Sequence, residues 1–190
     1  MSWIQAVPTE SAAGELKALY ERIRARSSRG AVSNVWQSVG LDPRGLGALF
    51  THYDTLMTDP APLSPAQAEA IAIVVSATNG CGYCVAHHGP RYARACGDES
   101  LARAVALDYR EANLPARDRV LLDCAVALTC EPGERKQEDV ERLREYGFDD
   151  LAILKATEIA AFYNLVNRIV SALGVELEDG LAPWPFGAQR

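Results

Sequence analysis

No stretch of this chain approaches the roughly 20 consecutive apolar residues of a membrane span. The nearest candidate, AIAIVVSA at 70–77, is far shorter. The opening, MSWIQAVPTESAAGELKALY, lacks the basic segment and apolar run of a secretory signal, so the expectation is a cytoplasmic protein. Basic charge is in short supply. Nineteen Lys and Arg stand against 25 Asp and Glu, a net charge of −6, which leaves no broad cationic field for nucleic acid or anionic membranes. A small neutral or apolar ligand, or a protein partner, suits that surface better. Alternating strand patterns are almost absent, and neither a low-complexity segment nor a dividing linker is found. The five cysteines are an odd count that makes no disulfide scaffold, and in a reducing compartment a close pair points to catalysis or metal binding.

What is present is a series of helical patterns in a chain of 190 residues, 48% hydrophobic and 23% charged, a composition that fits one globular domain over 1–190. A helix is expected over about 10–26, where Leu16, Leu19, Tyr20 and Ile23 recur at helical spacing. Asp42 and Pro43 open a second, to about Met57. Ser64, Pro65 and Gln67 form a capping box with proline at the first helical position, and Asn79 and Gly80 stop that helix. The next runs to Gly97, with Pro90 predicting a kink or break near 87–89. Further helices are expected at about 99–108, 116–129, 137–146 and 150–173, followed by an extended proline-rich arm over about 175–190. The fold class is therefore all-α, with about seven or eight helices. The run 150–173 is apolar around much of its circumference, which an oligomer would explain.

The segment CGYCVAHHG, 81–89, concentrates two cysteines and two histidines. On a helix, successive residues turn by about 100°, so Cys81, Cys84 and His88 share one stripe, with His87 beside it and Tyr83 roughly opposite. That stripe has a chemical use, because the thiolate is the reactive form and a free thiol is mostly protonated at neutral pH. With Asn79 or Gly80 as cap, Cys81 falls in the first helical turn, where exposed N–H groups favour an anion. His88, one turn beyond Cys84, is placed to take its proton directly or through water. Oxidation of one sulfur to a sulfenic acid leaves the other positioned to condense with it into a disulfide. Glu69, the one acidic residue of the preceding apolar helix, is the candidate carboxylate to orient the histidine; its alternative reading is a solvated residue complementing the helix dipole.

Glu69, eleven residues, then C-x-x-C-x-x-x-H from Cys81 through Cys84 to His88 resembles the active-site pattern of the alkylhydroperoxidase D-like family, within the carboxymuconolactone decarboxylase superfamily. The blocks VSNVWQSVGLDP, VSATNGCGYCVAHH and EIAAFYNLVNRIVSALGVELED resemble its peroxidase-related branch. The resemblance implies an all-helical bundle of the alkylhydroperoxidase D-like type, assembled as a trimer or hexamer. It also implies reduction of alkyl hydroperoxides or hydrogen peroxide by thiols, with no metal and no cofactor. By the same resemblance Cys84 is peroxidatic, Cys81 is resolving, and Glu69 and His88 are the proton relay. An external dithiol or reducing protein then regenerates the pair. One departure stands out: better-studied members carry a histidine directly before the second cysteine, where this chain has Tyr83.

Other readings compete. Two thiols and two imidazoles are a zinc ligand set, but four donors within eight residues of one helix cannot easily surround an ion. A redox-sensing oligomer, or a thiol–disulfide oxidoreductase, would use the same dithiol without peroxide turnover. A lactone decarboxylase has no need of the pair. Cys96, Cys124 and Cys130 read as small buried hydrophobes, Cys124 most clearly. His52 reads as a surface or interface residue, Asn167 and Arg168 as hydrogen-bonding residues at an interface, and Trp3, Trp36 and Trp184 as core or subunit contacts.

Overall fold

A computed structural model describes residues 2–189. Among them the ordered elements are nine α-helices and two short 3-10 turns, with no strand: α1 Gly14–Arg26, α2 Asn34–Ser38, α3 Pro43–Thr58, α4 Pro65–Thr78, α5 Gly82–Cys96, α6 Glu99–Asp108, α7 Ala116–Cys130, α8 Gln137–Glu145 and α9 Asp150–Leu173. The fold is all-α, and no helix among the described residues is long and apolar enough to cross a membrane.

Local signals set most boundaries. The Asp42 carboxylate accepts from Gly45 N–H with Pro43 in the first turn of α3, and Ser64 and Gln67 form a reciprocal capping box on α4, satisfying amides that have no partner within the helix. Helix α4 has no polar face beyond its first turns: Ala68 and every residue from Ala70 to Thr78 are buried. A helix apolar all round must be enclosed, and α4 packs against α5, α6, α7 and α9. It is the centre of the core, and α5 and α9 carry the candidate residues to it.

Several expectations change. The first helix begins at Gly14, after a 3-10 turn at Thr9–Ser11. Between the helix expected to end near 26 and the one opening at Asp42 lies a short additional helix, α2, whose Val35 and Trp36 are buried. Helix α5 runs unbroken through Pro90. The proline removes one intrahelical bond, but Val85, Ala86, His88, Gly89 and Tyr92 are all buried around it, and that packing holds the two halves in line. On α9, Phe162, Tyr163, Val166 and Val170 are buried, whereas Leu151, Leu154 and Leu165 face outward. Trp3 is 80% exposed and lies over Gly174, where a Cβ would meet its ring at 2.2 Å, so it closes the end of α9 rather than filling the core.

The chain after α9 has no regular structure beyond a turn, as its prolines predict, yet it is fastened at both ends. The Trp184 ring lies against Gly89 and under the Arg103 guanidinium, 4.3 Å from its centroid. The buried Gln189 accepts from Tyr109 N–H at 3.1 Å and donates to the Ala106 carbonyl at 2.8 Å, closing the C-terminal end of α6 with a side chain from 80 residues away. This segment passes over α5, where Phe186 and Trp184 lie against Gly82 and Gly89.

Candidate active site

The turn between α4 and α5 sets the cysteines. Gly80 has φ +71°, a left-handed conformation that only glycine adopts freely. Gly80 N–H bonds to Ala77 C=O at 3.0 Å and Cys81 N–H to Ser76 C=O at 2.8 Å, the two bonds of a Schellman cap. Cys81 is therefore both the residue that closes α4 and the N-cap of α5, one position earlier than the first-turn placement expected from sequence. Cys84 follows in the first turn, 3% exposed. Behind the pair is a buried amide network: Asn167 donates to Ser76 Oγ at 3.0 Å and accepts from Asn79 at 3.0 Å. Asn167 thus belongs to the site and not to an outer face.

The two thiols are unlike each other. The hydrogen bond from Cys84 lowers the Cys81 pKa, helped against the effect of burial by the backbone amides of Cys84 and Tyr83 and by Asn167. The same interaction with Cys81, burial and the Cys81 charge raise Cys84. Of the two thiols, Cys81 is the one whose surroundings favour loss of the proton and Cys84 the one whose surroundings oppose it.

His88 is 5% exposed. Its Nδ1 lies 2.6 Å from Glu69 Oε2 and its Nε2 3.0 Å from the Tyr163 hydroxyl. Burial depresses the His88 pKa, although the neighbouring Glu69 opposes this, and burial raises that of Tyr163. The tautomer that satisfies both partners carries its proton on Nδ1, donated to Glu69, and accepts the Tyr163 proton at Nε2. Of the two routes expected between His88 and Cys84, direct or through water, no direct bond is formed; the crossing of α9 over α5 puts Tyr163 on that nitrogen instead. Glu69 also lines a separate outer depression of about 370 Å³, together with Arg26, Asp54, Arg91 and Arg94.

A second carboxylate serves the other two polar residues of the motif. Tyr83 donates to Glu178 Oε1 at 2.7 Å and accepts from Val35 N–H at 3.1 Å, and its ring stacks on His87 with centroids 4.6 Å apart. His87 Nε2 is 2.9 Å from Glu178 Oε2. The Asn34 amide donates to Glu178 Oε1 at 2.6 Å, and Arg29 lies 3.6 Å from Oε2. Burial alone would raise the Glu178 pKa, but bonds from His87, Asn34 and Tyr83 hold it well below the usual carboxylate range.

These groups surround a small cavity of about 40 Å³. Trp36, Tyr53, Phe162 and Val166 make its apolar walls, and Cys84, Tyr83, His87, His88 and Tyr163 those that carry titratable groups. Cys81 is not among the walls. A water needs roughly 10–15 Å³ on this kind of measure, so the cavity fits a group of two or three heavy atoms next to Cys84. Arg91 borders it as well, bonded to the Tyr53 hydroxyl.

The spacing in the sequence therefore brings Glu69 to His88 and Cys81 to Cys84. Sequence reasoning misses Tyr163 and Glu178, because neither carries a local signal and both reach the site from more than 70 residues away. Among the described residues no three His, Cys, Asp or Glu side chains are placed to hold a metal ion. The remaining cysteines are less buried than expected: Cys96 and Cys124 are half-buried and Cys130 is exposed, Cys96 and Cys130 being the last residues of α5 and α7. His52 is exposed and meets the edge of Phe162 at 5.3 Å.

Comparison with known proteins gives a consistent result. Residues 44–106, from α3 through the motif to α6, match the carboxymuconolactone decarboxylase family. No curated protein is significantly similar. An uncharacterized peroxidase-related protein from Silicibacter sp. TM1040 is 31% identical over 94% of this chain and 90% of its own, with a TM-score of 0.80. The alkylhydroperoxidase AhpD core protein of Ralstonia eutropha JMP134, also peroxidase-related, is 28% identical over 96% of this chain and 97% of its own, TM-score 0.85. The debrominase Bmp8, solved with 2,3,4-tribromopyrrole, shares the fold at 19% identity over 94% of this chain and 95% of its own, TM-score 0.76. With a relative this similar along nearly its whole length, the chain belongs to the alkylhydroperoxidase D-like family of the carboxymuconolactone decarboxylase superfamily.

Proposed function

We propose that the protein is a thiol-dependent peroxidase that reduces hydrogen peroxide or alkyl hydroperoxides through a Cys84/Cys81 dithiol–disulfide cycle. The family contains enzymes of more than one reaction, so the reading rests on the site. The observation that carries it is that Cys84, alone of the two cysteines, faces a peroxide-sized cavity, beside a continuous Glu69–His88–Tyr163 hydrogen-bond chain.

In the cycle the Cys84 proton leaves first, to the Cys81 thiolate or to the His88–Tyr163 chain, where a buried neutral imidazole is ready to accept it. The Cys84 sulfur then attacks the terminal peroxide oxygen. The S–O bond forms, the O–O bond breaks, and the alcohol departs with a proton, leaving Cys84 as the sulfenic acid. Cys81 attacks that sulfur, forming the disulfide and releasing water. An external dithiol returns two electrons and two protons. The lowered pKa of Cys81 suits the resolving step, in which it is the nucleophile. Outward-facing Leu151, Leu154 and Leu165 suit a homo-oligomer, which light scattering tests.

The test is peroxide turnover with several dithiol reductants on wild type, Cys84→Ser, Cys81→Ser and Glu69→Gln. Cys81→Ser is expected to keep sulfenate formation and Cys84→Ser to lose it. No turnover with any peroxide and reductant would move the assignment to a redox sensor, and the reverse pattern of variants would exchange the two cysteines.

A further inference from the structure

Cleavage of a peroxide makes opposite demands on protons: the attacking thiol must lose one and the departing oxygen must gain one. A single group does both only by moving its proton between two places. The cavity has two imidazoles, one on each carboxylate. His88 is held neutral by burial and faces Glu69, which suits the accepting role. His87 lies three residues after Cys84, on the same side of α5, and lines the cavity too. Glu178 holds its Nε2 at 2.9 Å, the Tyr83 ring stacks against it, and its Nδ1 has no hydrogen-bond partner among the described residues. Asn34 N–H, the Tyr83 hydroxyl and His87 bond to the Glu178 carboxylate and the Arg29 guanidinium lies 3.6 Å away, so a fixed negative charge stands beside the ring.

Resting on the peroxidase reading above, the geometry points to His87 as the general acid of the reaction, oriented by Glu178 and Tyr83. When Cys84 sulfur takes the terminal oxygen and the O–O electron pair goes to the departing alkoxide, His87 supplies the proton that makes it an alcohol. The ring is re-protonated from solvent before the next turnover. Tyr83 and Glu178 are positioning residues: they touch the imidazole and fix its plane. Pairs of titratable groups whose surroundings differ commonly divide acid and base work in this way.

A matched pair of oxidants tests the assignment. Ethyl hydroperoxide expels a strongly basic ethoxide, whereas peroxyacetic acid, of nearly the same size, expels a weakly basic acetate that needs no acid. Single-turnover oxidation of the reduced protein by each is followed by loss of free thiol. In His87→Gln, which keeps a hydrogen bond to Glu178, the ratio of the ethyl hydroperoxide rate to the peroxyacetic acid rate is expected to fall by about 10²-fold or more. Glu178→Gln moves the ratio the same way by a smaller factor. If both oxidants slow equally in His87→Gln, or neither slows, His87 is structural and the assignment falls while the peroxidase reading stands. If the wild type is oxidised by neither peroxide, the reading and the assignment fall together. Should His87→Gln not fold, an unchanged ratio in Glu178→Gln overturns the assignment by itself.

Discussion

Replacing Tyr163 by phenylalanine isolates one hydroxyl. The ring stays, with its edge contacts to His88 at 4.8 Å and Phe162 at 5.6 Å, and only the 3.0 Å bond to His88 Nε2 is lost. That nitrogen belongs to a buried ring and loses its partner. Leaving such a group unpaired costs about 1–3 kcal/mol. For a chain of this length each kcal/mol moves the melting temperature by about 2–4 °C, so Tyr163→Phe is expected to melt roughly 2–12 °C below wild type. If the hydroxyl is the link that passes protons between His88 and the cavity, single-turnover oxidation by peroxide also slows by about 10²–10⁴-fold, equivalent to roughly 3–5 kcal/mol of barrier. Scanning calorimetry and thiol-loss kinetics on one preparation measure both. An unchanged melting temperature with an unchanged rate would refute a His88 whose buried Nε2 depends on the Tyr163 hydroxyl. A lowered melting temperature with a normal rate would keep the hydrogen bond and remove Tyr163 from the chemistry.

Two other expectations concern stability. Burial depresses the folded pKa of His88 below the ordinary histidine value of 6.5, so the unfolded chain takes up that proton first; the contribution is complete above about pH 6.5 and is lost as pH falls through the window beneath it. Denaturant melts between about pH 7.5 and 5 should show that decline, and His88→Gln should flatten it. At Gly89 an added Cβ would meet the Trp184 ring at 2.6 Å, so Gly89→Ala is expected to destabilise by about 1–3 kcal/mol. In a Trp184→Ala background the same change should instead stabilise the helix by about 0.5–1 kcal/mol, and additive effects in that double-mutant cycle would contradict the contact.

The parts of the molecule legible in the sequence are those governed by neighbours along the chain. Ser64–Pro65–Gln67 announces the start of α4 because all the capping groups lie within one turn, and Asn79–Gly80 announces its end for the same reason. Glu69 and His88 can be paired because α4 and α5 are joined by so short a turn that they have to pack antiparallel. Pro90 misleads because a local rule weighs one lost bond and cannot see the buried contacts around it. Tyr163 and Glu178 are invisible for a related reason: their partners are fixed by how α9 and the following segment cross α5. Tyr83, which as a sequence feature looks like a gap in a relay, proves to belong to a different cluster built on Glu178.

Glu69 stands between two compartments. One oxygen reaches inward to His88, while the residue itself borders the outer depression on the far side of the Tyr53–Arg91 pair, which forms a wall of both spaces. On the proposed peroxidase reading, protons exchanged at Glu69 and peroxide reaching Cys84 would come from different spaces. On that reading a compound that plugs the cavity would stop the oxidant and leave the Glu69 side open, whereas one lodged among Arg26, Arg91 and Arg94 would do the reverse. Inhibition at the two openings would then differ in kind, the first competitive with peroxide and the second felt as a slowed hydrogen exchange.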